Sequence, residues 1–87
     1  MVTDIKVCDD YVVITEEGKD YVCDNDPAVI AGSLLIAEFH PRGNRRKTFL
    51  VELFEDEETL EQTYQPFSSE EDEEKAWKMY SDIMDCM

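Results

Sequence analysis

The sequence is short of positive charge and contains no recognisable catalytic motif. Eight lysines and arginines stand against 22 aspartates and glutamates, which gives a net charge of −14 over 87 residues. A chain this acidic is repelled by nucleic acid and by anionic membranes, so we expect it to bind neither directly. The single histidine, His40, lies between Phe39 and Pro41 with no nucleophile or acid beside it in sequence. We therefore predict a protein that is not an enzyme and uses no cofactor.

Long apolar runs and paired cysteines are also missing. No run of apolar residues is long enough to span a membrane. The segment 1–4 is neither basic nor followed by an apolar stretch, so we expect no signal peptide. The three cysteines, Cys8, Cys23 and Cys86, form no C-x-x-C pair and are odd in number. This usage favours free thiols in a reducing compartment, and hence a cytoplasmic protein.

A metal site is a lesser alternative. The three cysteines and His40 could in principle make a zinc site, but none of them has the close pairwise spacing that zinc ligands show. We therefore predict no metal site, and we expect His40 to lie on the surface at the end of a strand.

The length and patterning predict one domain over residues 1–87 with a single small core. A hydrophobic fraction of 43% argues against disorder despite the charge. Alternating apolar and β-branched residues predict strands at 5–7, 11–15, 20–23, 34–40 and 48–54, with one more possible within 59–67, where Leu60 and Tyr64 would share a face. Gly18 predicts a hairpin built on a type I turn with a bulge.

The segment before residue 40 is ambiguous. Asp26 as N-cap and Pro27 at the first helical position predict a helical turn over 28–31, which Gly32 would end. A competing interpretation continues that helix to Glu38. We favour the short turn followed by a strand over 34–40, since a hairpin loop comes directly afterwards.

The C-terminal segment, 68–87, has the spacing of an amphipathic helix. Ser68 or Ser69 is the predicted N-cap, with Glu71 or Asp72 as its capping-box partner. The face that carries Trp77, Tyr80 and Met84 (extended by Met87) should cover a sheet, because so short a helix is not stable alone. We therefore predict an α+β fold in which an antiparallel sheet of four to five strands packs against this one helix.

Acidic residues dominate the second half of the chain. Between Glu52 and Glu74 there are eleven carboxylates and no lysine or arginine. On the helical wheel Asp72 and Glu73 point the same way as Tyr80, so we predict that the first helical turn projects past the sheet into solvent. The belt either solubilises the protein or occupies a basic groove built for phosphates. The candidate partner-binding residues are Glu52, Glu55, Asp56, Glu57, Glu58, Glu70, Glu71, Asp72, Glu73 and Glu74.

In size, charge and lack of a catalytic motif the chain resembles the small acidic inhibitors of phages and mobile elements, which include DNA-mimic and anti-CRISPR proteins. Glu61 and the candidate residues just named carry this resemblance. These inhibitors share no motif, so no residue role is transferred from them. The resemblance implies an inhibitor that binds the basic nucleic-acid-binding surface of a DNA-processing enzyme such as a CRISPR effector, as a mimic or a steric blocker.

A basic loop follows residue 41. Arg42, Arg45 and Arg46, with Lys47, provide half of the positive charge. They either pair with nearby carboxylates or form a secondary partner-binding surface that reaches an acidic patch. The alternative function is a small adaptor that binds a protein through an apolar strand edge, at 34–39 or 64–67. Under either function we expect a monomer or weak homodimer.

Overall fold

The computed structural model describes residues 1–85, in which seven strands precede one helix. The predictions made for Cys86 and Met87 lie outside this range. The α+β class is confirmed, with antiparallel strand pairing throughout and a C-terminal helix. The elements are β1 (Val2–Val7), β2 (Tyr11–Glu16), β3 (Lys19–Asp24), β4 (Ala28–Ala31), β5 (Leu35–Phe39), β6 (Phe49–Glu55), β7 (Gln62–Gln65) and α1 (Glu70–Asp85).

The strands form two sheets where one was expected. β1, β2 and β3 make a three-stranded sheet, and β4 to β7 make a four-stranded sheet in sequence order. The two sheets are joined at one side, where Cys23 forms a bridge with Pro41 and the Arg42 amide donates to the Val22 carbonyl at 2.8 Å. The strand that was not predicted is β4, and the possible strand within 59–67 is present as β7; both belong to the second sheet.

The main core lies between the sheets. Val12, Ile14 and Cys23 of the three-stranded sheet pack with Phe39 and Val51 of the other. β6 is the central element. Its two neighbours are β5 and β7, one of its faces packs toward the three-stranded sheet, and α1 covers the other face. The apolar residues on both faces of this strand are explained by these two layers.

The helix covers the second face of the four-stranded sheet through a narrower contact than its apolar arc predicts. Ala76 is buried against Ile36 and Leu50, with Met79 and Tyr80 beside it. Of the three residues predicted to cover the sheet, only Tyr80 lies in this contact. Trp77 is 38% exposed and Met84 is 49% exposed. Ala76 is therefore the point at which the helix meets the sheet, and the larger side chains on its flank stay partly in solvent.

The predicted helical turn at residues 28–31 is wrong. These residues form β4, which pairs antiparallel with β5 from Ala28 opposite Glu38 to Ala31 opposite Leu35. Asp26 and Pro27 therefore cap no helix, since pairing with a neighbouring strand outweighs the local N-terminal signal. The strand predicted after them is confirmed as β5, but it lies between β4 and β6 and is not a sheet edge.

The hairpin between β2 and β3 is tighter than predicted. Glu16 pairs with Lys19, so the loop contains only Glu17 and Gly18. Both have positive φ, at 51° and 78°. A two-residue loop of this kind is a type I′ turn, which matches the twist of the flanking strands better than the predicted type I turn with a bulge.

Candidate partner-binding surface

The acidic loop after β6 is held in place by its own aspartate. The Asp56 carboxylate accepts the amide protons of Glu58 at 2.8 Å and Thr59 at 3.3 Å. The Asp56 carbonyl accepts the Leu60 amide at 2.8 Å, which closes a single helical turn. Asp56 is therefore a structural residue of the loop. Glu57 and Glu58 extend from this turn and are exposed.

Leu60 does not share a strand face with Tyr64 as predicted. It lies before β7 at the end of the acidic turn, with a positive φ of 60°, and it is 70% exposed. Tyr64 is half-buried on β7 and meets the Phe39 ring edge-on, with 5.1 Å between centroids. The positive φ places Leu60 outside the strand, so the alternation that β7 follows does not extend to it.

The second acidic segment is the first turn of α1. Ser69 is the N-cap: its hydroxyl accepts the Asp72 amide proton at 3.2 Å, and the Ser68 hydroxyl donates to the Asp72 carboxylate at 3.3 Å. These contacts confirm the predicted capping residue and assign Asp72 a structural role. Four acidic residues in this turn also match the sign that the helix dipole favours.

The prediction that this turn projects into solvent on all sides is wrong. Asp72 and Glu73 are half-buried, whereas Glu70, Glu71 and Glu74 are exposed. The exposed end of the helix is the other one, since residues 81–85 are all exposed. The cap at Ser68 and Ser69 explains the difference, because it provides a hydrogen-bond partner for the partly buried Asp72.

None of the ten candidate carboxylates is neutralised by a cation of the described chain. The ion pairs within residues 1–85 join His40 to Glu38, Arg42 to Asp24 and Lys47 to Glu16. All three acids lie before residue 40, outside the acidic belt. Glu52 is the most enclosed of the candidates outside the helix, half-buried in the middle of β6. The belt therefore keeps its negative charge uncompensated.

The strand β7 separates the two acidic segments. Glu55 is opposite Gln62 and Glu52 is opposite Gln65, so β7 leads away from the acidic loop and toward the start of α1. Four residues of strand span about 13 Å at 3.3 Å per residue. The structure thus presents two acidic segments, one before and one after an edge strand. We call them the acidic loop (55–61) and the acidic helix start (70–74).

A groove lies beside the acidic helix start. It has a volume of about 370 Å³ and is lined by Met1, Glu70, Glu73, Glu74 and Trp77. The Trp77 indole meets the Tyr80 ring edge-on, with 5.9 Å between centroids and 86° between planes. Sequence reasoning assigned Trp77 to the buried face and missed this groove. The signal was the spacing, because Glu70, Glu73 and Glu74 precede Trp77 by seven, four and three residues and so share its side of the helix.

Two cations of the predicted basic loop are already paired. The Arg42 Nε donates to Asp24 at 2.5 Å, and its guanidinium lies 5.9 Å from the centroid of the Tyr11 ring. The Lys47 ammonium donates to Glu16 at 2.9 Å and lies over the Tyr21 ring. The hydrogen bond to Glu16 raises the pKa of Lys47. These two residues link the loop to the three-stranded sheet.

Arg45 and Arg46 are different, since both are exposed and neither joins an ion pair of the described chain. The turn before them places Gly43 at a φ of 80° and closes with the Asn44 amide donating to the Pro41 carbonyl at 3.1 Å. Arg45 also lines a cavity of about 470 Å³ with Asp24, His40, Pro41, Arg42 and Gly43. Of the predicted secondary surface, only these two arginines remain available to a partner.

His40 has an acidic partner that the sequence reasoning overlooked. Its Nε2 lies 2.6 Å from the Glu38 carboxylate, and its Nδ1 lies 2.9 Å from the Lys47 carbonyl oxygen. The Lys47 carbonyl can only accept, so Nδ1 donates to it, and Nε2 and the Glu38 carboxylate share one proton between them. Glu38 stands two residues from His40 on the same strand face, and this spacing was the available signal.

The hydrogen bonds of His40 and Glu38 join three parts of the fold. The Tyr80 hydroxyl of α1 donates to Glu38 at 3.3 Å, while His40 contacts the basic loop through Lys47. Burial, followed by the charge of Glu38, raises the pKa of Tyr80. The Thr48 hydroxyl lies 3.4 Å from the His40 Nδ1, but that nitrogen already donates to a carbonyl and has no lone pair for a proton from Thr48. The contacts are those of a structural link between helix, sheet and loop.

The two described cysteines are free thiols. Cys23 is fully buried, and burial raises the pKa of its thiol to about 11. Cys8 is half-buried at the end of β1. Within residues 1–85 no three histidine, cysteine or acidic side chains are grouped so as to hold a metal ion. The helix found in this range is too short and too polar to cross a membrane.

Comparisons with known proteins found no matching family model, no matching curated protein and no matching solved structure.

Proposed function

We propose that this chain is a non-enzymatic acidic inhibitor that binds the basic nucleic-acid-binding surface of a DNA-processing enzyme, such as a CRISPR effector. The observation that supports it best is the acidic belt, whose carboxylates pair with no cation of residues 1–85. Lysines and arginines arranged for phosphates would attract such a belt for the same electrostatic reason. The protein would act in the cytoplasm as a monomer, by mimicking nucleic acid or by steric block.

The two acidic segments give the interaction a direction. The acidic loop and the acidic helix start lie before and after β7, so a basic surface that contacts both must extend along this edge of the sheet. Arg45 and Arg46 lie on a different loop and would contact an acidic patch of the same partner. Binding dominated by such contacts associates fast and weakens steeply with salt.

The test is capture of partners from a bacterial lysate on the immobilised chain. We expect basic DNA-binding proteins to be retained at low salt and displaced by high salt or added duplex DNA. Reversing the charge of the helix start, with Glu70, Glu71, Glu73 and Glu74 changed to Lys, should abolish capture. The matched comparison reverses Glu55, Glu57, Glu58 and Glu61. Retention that persists in both variants, or a partner that ignores salt and DNA, would contradict charge mimicry.

One observation supports the adaptor as a second candidate, although not at the edges predicted. β5 is interior. In the 64–67 segment Tyr64 lies on the edge strand β7 but is half-buried, and Phe67 is buried, so neither segment presents an apolar edge. The available apolar edge is β4, which has no charged residue and leaves Val29 50% exposed. A partner that adds a strand there would bind independently of salt. Val29→Lys would then abolish binding while the charge reversals leave it unchanged.

A further inference from the structure

One side of α1 is covered only in part by the rest of the described chain. Trp77 and Met84 are seven residues apart, which places them two turns apart on the same side of the helix, and both are exposed. Glu70 continues this side by another seven residues. Most tryptophan side chains are largely buried, so a partly exposed indole marks a contact surface. The groove of about 370 Å³ is the concave part of this surface.

We propose, on the basis of the inhibitory function above, that this groove binds an arginine side chain of the basic partner. Trp77 lines the groove together with three glutamates, Glu70, Glu73 and Glu74, and with Met1. A guanidinium ion stacks on an aromatic face and can donate two parallel hydrogen bonds to a carboxylate at its edge. Trp77 then binds a defined side chain, whereas the rest of the belt attracts charge generally.

The surroundings of the indole favour a cation over an apolar guest. The three glutamates that line the groove with Trp77 pair with no lysine, arginine or histidine of residues 1–85, nor with the α-ammonium group of Met1, which lines the same groove. An apolar side chain in this groove would desolvate them without replacing their hydrogen bonds, which is costly. A guanidinium ion replaces those bonds with charge-assisted ones. The edge-on contact with Tyr80 holds the indole in one orientation before the guest arrives.

A second copy of this chain is a poor occupant, because each copy carries a net charge of −14. Dimerisation through this side would also bring two acidic helix starts into one interface, and like charges there repel. Arginine is favoured over lysine because its planar guanidinium both stacks on the ring and bridges a carboxylate, whereas an ammonium group does neither as well.

The experiment uses the intrinsic fluorescence of Trp77, the one tryptophan of the chain. The ligand is a short glycine–serine peptide with three arginines, and the comparison peptide has lysines in their place. The groove variant carries Glu70→Gln, Glu73→Gln and Glu74→Gln. The matched control carries Glu57→Gln, Glu58→Gln and Glu61→Gln, which removes the same charge from the acidic loop. Urea unfolding of each variant establishes that it folds like the parent chain.

We expect the arginine peptide to change the fluorescence saturably and to bind severalfold more tightly than the lysine peptide. The groove variant should bind about tenfold more weakly, and the loop variant no more than about twofold. Equal weakening in both variants would overturn the groove while leaving the acidic inhibitor intact. Fluorescence that does not change on adding the arginine peptide would also overturn the groove. So would a spectrum that shifts with protein concentration alone, together with the mass of a dimer in sedimentation. If the parent chain captures no basic partner in a salt-sensitive way, in contrast, the proposed inhibitory function itself is wrong.

Discussion

The two faces of the four-stranded sheet are built differently. The face toward the three-stranded sheet is closed and apolar, with Phe39, Phe49 and Val51 almost completely buried. The face toward α1 carries the charged residues Glu38 and Glu52 among its apolar ones. This face is covered by a single helix, and Ala76 is the one residue of that helix that is completely buried.

Under the proposed function, this difference separates the residues that stabilise the fold from those that would bind a partner. Buried aromatic and aliphatic side chains between the sheets provide most of the hydrophobic free energy of folding. The helix face is stabilised by fewer apolar contacts and by the hydrogen bonds around Glu38. Residues beside this thin contact, such as Trp77, are free to bind a partner. Substitutions in the two regions should therefore affect different properties.

The largest effect is expected between the sheets. Phe39 is 1% exposed and meets the Tyr64 ring edge-on, so Phe39→Ala should leave a cavity that cannot close. We expect a loss of about 3 to 5 kcal/mol in the free energy of unfolding, measured by urea denaturation. Phe54→Ala, an exposed residue of the same strand layer, is the control and should cost less than about 1 kcal/mol. Similar losses in both variants would contradict the distinction between the two faces.

The same core should respond to alkaline pH. The pKa of the buried Cys23 thiol is raised to about 11 from its ordinary 9.0, so the folded state holds this proton more tightly than the unfolded state. Its stabilising contribution is complete below pH 9 and is lost as the pH rises toward 11. The loss should reach about 3 kcal/mol.

Urea unfolding between pH 7 and pH 11 measures this loss, and Cys23→Ala isolates it. The variant should be less stable at pH 7 because it removes a buried sulfur, but its stability should fall less steeply with pH. Tyr64 and Tyr80, whose pKa values are also raised by burial, titrate in both proteins and cancel in the comparison. Parallel curves for the two proteins would show that the thiol has the same pKa in the folded and unfolded states.

Sequence patterning predicted most of the fold because the decisive signals are local. Alternation located β2, β3, β5 and β6, and serine followed by acidic residues located the start of α1. Asp26 and Pro27 led to the wrong prediction of a helical turn. An N-cap signal is local, and it contains no information on the pairing of β4 with β5. Which strands share a sheet depends on contacts distant in sequence, and no pattern within a strand encodes them.

The candidate surface was predicted less well. Charge density identified the acidic belt, but it could not distinguish Asp56 and Asp72, which hold a turn and a helix cap, from Glu57 and Glu58, which hold neither. The position of Trp77 was missed because the helical wheel gives the direction of a side chain and not the width of the contact. The contact between helix and sheet is narrow, because its centre is the small side chain of Ala76 and only Met79 and Tyr80 pack beside it.

An intermediate effect is expected where α1 meets the turn after β4. A Cβ atom at Gly32 would overlap the Met79 sulfur, and the Ser33 hydroxyl already lies 3.9 Å from that sulfur. Gly32→Ala should therefore displace Met79 and cost about 1 to 3 kcal/mol, less than the core substitution because methionine can change rotamer. Urea unfolding measures the cost. The double variant with Met79→Ala should lose less stability than the sum of the losses in the two single variants, because the overlap with the sulfur is gone. Additive losses would show that the two residues do not meet.

The smallest effect on stability is expected at Trp77, and it should accompany the largest effect on binding. Trp77→Ala removes a partly exposed ring and introduces a better helix former, so the free energy of unfolding should fall by no more than about 1 kcal/mol. Binding to the arginine peptide, measured by calorimetry because the fluorophore is gone, should nevertheless weaken about tenfold. Trp77→Phe should keep part of the affinity, since a smaller aromatic face still attracts a cation. A variant that loses stability and binding together would instead place Trp77 in the structural contact between helix and sheet, and the separation of the two faces would fail at this residue.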